Sequence, residues 1–181
     1  MREVKIIVVH CSDTPNERTL FEGKRGEKDY ATPAQVIDRW HSERGFHRDP
    51  IWRARQEMDL ESIGYHFVIA RNGALFNGRH LDEIGAHAQG LNKTSLGVCL
   101  VGRDAYTPEQ FATLADLLKG LCARYKLPGS RPEFVRAGNT WQILRGGICG
   151  HRNLPGVAKT CPGFDAQEWA EREIAPRLVK R

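Results

Sequence analysis

Two histidines and one cysteine lie where loops leave strand-like runs of the sequence. His10 follows the β-branched run "VKIIVV" at residues 4–9, His151 follows the short apolar run at residues 146–149, and Cys161 lies in the loop after it. Two imidazoles and one thiolate make a three-ligand zinc set that leaves the fourth tetrahedral position for water, as in catalytic zinc sites. Spacing alone leaves a second interpretation open, in which these are scattered polar residues of ordinary loops.

The composition predicts a soluble globular protein with one domain, taken as residues 1–181. Hydrophobic residues make up 40% and charged residues 27% of the 181 residues, an ordinary globular balance. The first apolar run is too short for a signal peptide and no run is long enough to span a membrane. We therefore expect cytoplasmic synthesis without a signal peptide, and no membrane partner.

The net charge of +5 is compatible with nucleic acid, an anionic membrane or an anionic polymer such as cell wall as a partner. The basic residues are spread along the chain rather than clustered, so no nucleic-acid partner is expected.

The five cysteines predict buried thiols rather than a disulfide framework, because their number is odd and no secretion signal is visible. Adjacent side chains of a strand point to opposite faces. Cys11 is therefore expected in the core if His10 faces a metal. Cys149 lies two residues before His151 and could share its face, so it remains an alternative ligand to Cys161.

Two segments carry the same helix start signal. The runs "TPAQ" at residues 32–35 and "TPEQ" at residues 107–110 place threonine at the N-cap, proline at the first helical position and glutamine where it completes a capping box. The first helix is predicted to end near Gly45 and the second at Pro128. Asp165 is predicted to start a last helix.

The strand signals alternate with these helices. Buried strands are predicted at residues 4–9 and 95–102, and Asn72-Gly73 between two apolar runs predicts a hairpin. This alternation predicts an α/β domain. Three polar segments are predicted to be irregular, namely residues 12–31, 47–62 and 129–146. A short helix is expected within residues 47–62.

Four blocks of the sequence together resemble a known family. The blocks "VVHCSDT", "GYHFVIARNG", "GAHAQGLNKTSLGVCLVG" and "GHRNLPGVAKTCPGFD" occur in this order. The chain thereby resembles the zinc-dependent N-acetylmuramoyl-L-alanine amidases of the type-2 family, which include bacteriophage amidase-type lysozymes and peptidoglycan recognition proteins. The resemblance implies an α/β fold, with a central mixed β-sheet flanked by helices and a zinc groove on one face.

The resemblance also implies a role for individual residues. It implies that His10, His151 and Cys161 bind Zn²⁺, and that Tyr65 and Lys159 are the catalytic side chains. Zinc lowers the pKa of bound water and polarises a carbonyl, an ammonium can stabilise the oxyanion, and a phenol can donate a hydrogen bond or relay a proton. The residue that accepts the proton from water is not identified by the sequence.

Other polar residues of the matching blocks have two interpretations. His87 and Asn92 are candidate substrate-binding residues, although each could instead hold a turn. Strand alternation separates His66 from Tyr65, so His66 is expected to be packed or hydrogen-bonded rather than catalytic. A structural role is expected for the remaining histidines, His41, His47 and His80.

The function implied is hydrolysis of the amide bond between N-acetylmuramic acid and L-alanine in peptidoglycan. We expect a monomeric phage endolysin that acts on the cell wall after release. Two alternatives are an amidase that recycles cytoplasmic muropeptides and a peptidoglycan receptor that does not cut. The chain departs from the family pattern in extra segments near residues 15–31, 47–61 and 130–146, which bear on the shape of the groove.

Overall fold

The computed structural model describes residues 2–178 and is built around one mixed β-sheet. Its strands and helices alternate as predicted. The strands are β1 Ile6–Cys11, β2 Phe67–Ile69, β3 Leu75–Asn77, β4 Ser95–Leu100, β5 Glu133–Ala137, β6 Thr140–Arg145 and β7 Gly147–Gly150. The helices are α1 Pro33–Glu43, α2 Pro50–Arg53, α3 Pro108–Tyr125, α4 Ala166–Glu173 and α5 Ala175–Leu178.

Five strands form the central sheet in the order β3-β2-β4-β1-β7. Strand β1 runs parallel to β4 and β7, β2 runs parallel to β4, and β3 pairs antiparallel with β2. The expected mixed sheet is confirmed, as is the hairpin around Asn72-Gly73. Strand β1 lies between two parallel neighbours and is buried throughout, which explains its continuous apolar run.

The helices cover both faces of the sheet because alternate strand residues face opposite sides. On one face, Ile7 and Val9 pack with helices α3 and α4. On the other face, Val36 and Ile37 of α1 pack with Cys99 of β4. Both predicted capping boxes are present at the starts of α1 and α3. No helix within residues 2–178 is long and apolar enough to cross a membrane.

The prediction that residues 129–146 are irregular is wrong. Strands β5 and β6 pair as an antiparallel hairpin around the two-residue turn Gly138-Asn139, with Phe134 opposite Ile143. Both of these side chains pack against a cluster that includes Leu154. A Gly-Asn pair between short strands is a hairpin signal, but the strands are mostly exposed and their apolar alternation is correspondingly weak.

The other two extra segments are anchored by buried side chains. In the first, Leu20 is 2% exposed and packs in the α1 cluster. In the second, which contains the short helix α2, the Arg48 side chain is fully buried. Arg48 donates hydrogen bonds to Glu83 and to the Leu60 carbonyl oxygen. A buried arginine with these partners ties the charged segment to the body of the fold.

Candidate metal and active site

The two candidate histidine ligands are brought together by strand register. Strands β1 and β7 are parallel neighbours, and Val9 is paired with Gly150. His10 and His151 are the residues that follow this pair along the polypeptide. Because β1 and β7 are parallel, both histidines lie at the same end of the sheet. Their ring centroids are 4.6 Å apart. The pairing therefore joins residues that lie at opposite ends of the sequence.

Cys161 returns to the same edge through the loop that follows His151. The Arg152 N–H donates to the Cys161 carbonyl oxygen at 2.7 Å, and the Cys11 N–H donates to the Cys161 Sγ at 3.2 Å. The His10 Nδ1 lies 4.0 Å from that sulfur. The candidate ligand atoms of His10, His151 and Cys161 all lie within 4.8 Å of one another.

The chemistry of this donor set fits a divalent cation. Burial, together with the charges of His151 and Lys159, lowers the pKa of His10, and burial beside Lys159 lowers the pKa of His151. Both imidazoles are therefore neutral near pH 7, with a lone pair free for a metal. A hydrogen bond with the Cys11 thiol and burial raise the pKa of Cys161, so a thiolate there requires a cation beside it.

The alternative ligand Cys149 lies elsewhere. Its side chain is fully buried in an apolar cluster with Val8 and Leu154, and burial raises its pKa to about 12. Cys11 is buried, but it lines the same cavity as the candidate ligands and contacts Cys161, which was not expected. Its backbone N–H reaches the Cys161 sulfur because the loop folds back over the end of β1.

The three candidate ligands line a cavity of about 1160 Å³ that also contains both predicted catalytic residues. Tyr65 lies two residues before β2, and its ring centroid lies 5.1 Å from that of His10. Tyr65 packs against the buried cluster that contains Cys99. Burial raises the pKa of Tyr65 well above its ordinary value, so the phenol keeps its proton at neutral pH.

Lys159 reaches the cavity from an exposed position in the same loop as Cys161. Its positive charge contributes to the lowered pKa of both His10 and His151. Lys159 therefore places a positive charge in the cavity that the candidate ligands line.

His87 and Asn92 occupy different positions. His87 lines the cavity, and its Nδ1 lies 3.1 Å from the His10 Nε2. Asn92 is not among the residues that line the cavity within the described part of the chain. Its Oδ1 instead accepts hydrogen bonds from the backbone N–H groups of His87 and Ala88, at 2.9 and 2.8 Å. This pair of bonds shapes the loop that carries His87.

His66 is hydrogen-bonded on both sides of its ring, as expected. Its Nδ1 accepts from the Gly97 N–H at 3.0 Å, and its Nε2 lies 3.0 Å from the Glu83 carbonyl oxygen, to which it donates. Burial lowers the pKa of His66 to about 3. The ring is therefore a neutral part of the protein interior.

The sequence interpretation missed the position of His41, which lines the cavity. Its Nδ1 accepts the Gly64 N–H at 2.8 Å, and its ring packs against that of Tyr65 at 5.2 Å. Burial lowers the pKa of His41 to about 4. A signal was present, because His41 lies four residues after the buried Ile37 on the same helical face. Neither His47, which is exposed, nor His80, which stacks on Trp52, lines the cavity.

Solved structures share this fold. Bumblebee PGRP-SA aligns with a TM-score of 0.60 at 18% identity, covering 97% of this chain and 84% of that protein. The N-acetylmuramoyl-L-alanine amidase LysC from Clostridium intestinale URNW aligns with a TM-score of 0.59 at 22% identity, covering 91% and 79%. The fold is therefore shared with an amidase and with a peptidoglycan recognition protein.

Comparison of the sequence with protein families identifies the family of this chain. The profile of the N-acetylmuramoyl-L-alanine amidase family matches residues 1–164. The chain belongs to this family and is an N-acetylmuramoyl-L-alanine amidase. A relative, the endolysin of Enterobacteria phage K11, is 32% identical over 178 residues, which cover 94% of this chain and 87% of the relative.

Proposed function

We propose that this amidase is zinc-dependent, that His10, His151 and Cys161 hold the zinc ion, and that peptidoglycan is its substrate. The observation that carries the proposal is the convergence of three candidate ligand atoms within 4.8 Å in a surface cavity. Two neutral imidazoles and a cysteine sulfur are zinc ligands, and three protein ligands leave a position for catalysis. Zinc bound there would acidify water and polarise the scissile carbonyl.

Lys159 supplies positive charge beside this position. Hydrolysis of the amide between N-acetylmuramic acid and L-alanine passes through a tetrahedral oxyanion. An ammonium group that lines the same cavity as the two imidazoles can stabilise this developing negative charge. The exposure of Lys159 leaves its side chain free to meet a substrate that enters the cavity.

Tyr65 acts as a hydrogen-bond donor in the same cavity. Its raised pKa keeps the phenol protonated across the neutral range, so it does not serve as a base in its resting state. Its contact with His10 holds the ring beside the candidate metal position. A protonated phenol there can orient the substrate carbonyl or relay a proton to the leaving amine.

The role of His87 and Asn92 in binding substrate stays a prediction. His87 lines the cavity, so a substrate bound there would contact its ring. Asn92 would contribute through the loop that it holds in place.

The experiment that tests this function measures amide cleavage directly. The zinc-loaded protein is incubated with purified peptidoglycan, and new L-alanine amino termini are quantified, with an active amidase as the positive control. Release of these termini and about one zinc per chain in metal analysis are expected. No release by the zinc-loaded protein, with the control active, would overturn the proposal. Binding of peptidoglycan without turnover, unaffected by Cys161→Ser, would indicate a receptor instead.

We further propose that the protein acts as an endolysin on the cell wall after release from the cytoplasm. Its similarity to the phage K11 endolysin over most of both chains supports this role, and the net charge of +5 suits an anionic wall. Activity on intact sacculi that exceeds activity on small soluble muropeptides is expected. The reverse preference would favour the muropeptide-recycling alternative.

We also propose that the protein is a monomer. Light scattering after gel filtration checks this oligomeric state.

A further inference from the structure

The hydrogen bond between His10 and His87 lies on the side of His10 away from Cys161. The His10 Nδ1 is the nitrogen near the Cys161 sulfur, at 4.0 Å. The opposite ring nitrogen, Nε2, lies 3.1 Å from the Nδ1 of His87. An imidazole that binds a metal through Nδ1 carries its proton on Nε2, so it must donate to His87.

This hydrogen bond determines which nitrogen of each ring carries the proton. If His87 accepts at Nδ1, its own proton is on Nε2, which lies 3.4 Å from the Ser95 Oγ. The hydroxyl oxygen of the buried Ser95 can accept it. His10 then donates a hydrogen bond to His87, and His87 donates one to Ser95.

Two glycines make room for the His87 ring. A Cβ atom at Gly97 would lie 2.6 Å from the His87 Cγ, and one at Gly85 would lie 2.5 Å from the His87 Cδ2. Both distances are too short for real contacts, so the ring occupies space that only glycine leaves open. Asn92 fixes the backbone of the same loop by accepting the His87 N–H. The ring is therefore held by packing as well as by hydrogen bonds.

We propose that His87 is a positioning residue for the metal site, which fixes the tautomer and the ring orientation of His10. The proposal rests on the assignment of His10 as a zinc ligand. Hydrogen-bond partners of this kind keep a ligand imidazole in place, and their loss typically weakens metal binding about 10- to 100-fold. This role differs from substrate binding, because it acts on zinc affinity in the absence of substrate.

The test measures the zinc dissociation constant of the whole protein by competition with a chromogenic chelator. His87→Ala removes the acceptor, whereas His87→Asn places Oδ1 close to the position of the imidazole Nδ1. We expect His87→Ala to weaken zinc binding about 10- to 100-fold and His87→Asn to stay within about threefold of the wild type. The absorption spectrum of the Co²⁺-substituted protein should change in His87→Ala and be restored in His87→Asn.

The outcomes separate this proposal from its alternatives. Unchanged zinc affinity in His87→Ala, or equal losses in the alanine and asparagine variants, would overturn it. A raised KM with unchanged zinc affinity would also overturn it, in favour of substrate binding. If His87→Ala does not fold, His87→Leu removes the acceptor while filling more of the space, with the same expectation. Absence of zinc binding in the wild type would overturn both this proposal and the zinc assignment.

Discussion

The rings of His10 and His151 stand 4.6 Å apart at the ends of two parallel strands that are adjacent in the sheet. Because Val9 is paired with Gly150, a shift in the register of β1 against β7 would separate the two imidazoles. Both strands are buried, and a slip of β1 by one residue would exchange Ile7 and Val9 with Ile6 and Val8, which pack in different clusters on the two faces. The same packing that stabilises the sheet therefore holds the candidate ligands in place.

Replacement of the candidate sulfur ligand should abolish metal binding. A serine hydroxyl stays protonated at neutral pH and is a poor zinc ligand, whereas a cysteine sulfur binds as the thiolate. We expect Cys161→Ser to lose zinc, measured by metal analysis, and to lose amidase activity. The matched control is Cys149→Ala, because Cys149 is buried in an apolar cluster. Retention of zinc by Cys161→Ser together with its loss in Cys149→Ala would reverse the ligand assignment.

Loss of the ammonium beside the metal position should impair turnover but not metal binding. Removal of one group that stabilises an oxyanion costs about 10²-fold or more in turnover. We therefore expect Lys159→Ala to keep its zinc and to lower kcat by about this factor, measured as the release of L-alanine amino termini. Lys24→Ala is a matched control, since the Lys24 side chain is 84% exposed and does not line the cavity. Undiminished turnover in Lys159→Ala would refute its role.

Much of the fold could be predicted because its signals are local. Each capping box lies within four consecutive residues, and Asn72-Gly73 specifies a tight turn by its own backbone preferences. The approach of Cys161 to His10 could not be derived in this way, because strand pairing between distant segments leaves no short-range pattern. It was predicted only through the resemblance of the sequence blocks to a family.

The contacts that the sequence did not indicate involve residues whose surroundings come from elsewhere in the chain. His41 shows only helical spacing in the sequence, yet the Gly64 N–H and the Tyr65 ring give it a place in the cavity. Cys11 is buried, yet both its backbone N–H and its thiol contact Cys161, because the loop that carries Cys161 folds back over the end of β1. Alternation predicts the direction of a side chain and says nothing about backbone donors at the end of a strand.

The buried neutral His66 should make stability depend on pH. Burial lowers its pKa to about 3 in the folded protein, against about 6.5 in the unfolded chain. Between these values the unfolded chain binds the extra proton, so the free energy of unfolding falls as the pH falls from about 6.5 towards 3, by up to about 1.4 kcal/mol per pH unit for this group.

Urea unfolding of the metal-free protein between about pH 4 and pH 6 checks this dependence, with a chelator present so that metal binding does not contribute. We expect His66→Gln to reduce the slope of the unfolding free energy against pH. The control His47→Gln should leave the slope unchanged, because the His47 side chain is exposed. Equal slopes in the wild type and His66→Gln would show that His66 does not contribute.

The buried carboxylate of Glu83 should be required for stability because it forms ion pairs with two buried arginines. The Arg48 Nη2 lies 2.8 Å from one Glu83 carboxylate oxygen, and the Arg79 Nη1 lies 3.2 Å from the other. The side chain of Arg48 is 0% exposed, that of Arg79 is 7% exposed and that of Glu83 is 3% exposed. Removal of one partner leaves uncompensated buried charge, which typically costs about 3–5 kcal/mol. We expect Glu83→Gln to lower the free energy of unfolding by this amount, measured by chemical denaturation. Glu171→Gln, which breaks the more exposed pair with Arg131, should stay close to the wild type, and a loss in Glu83→Gln no larger than in this control would contradict the prediction.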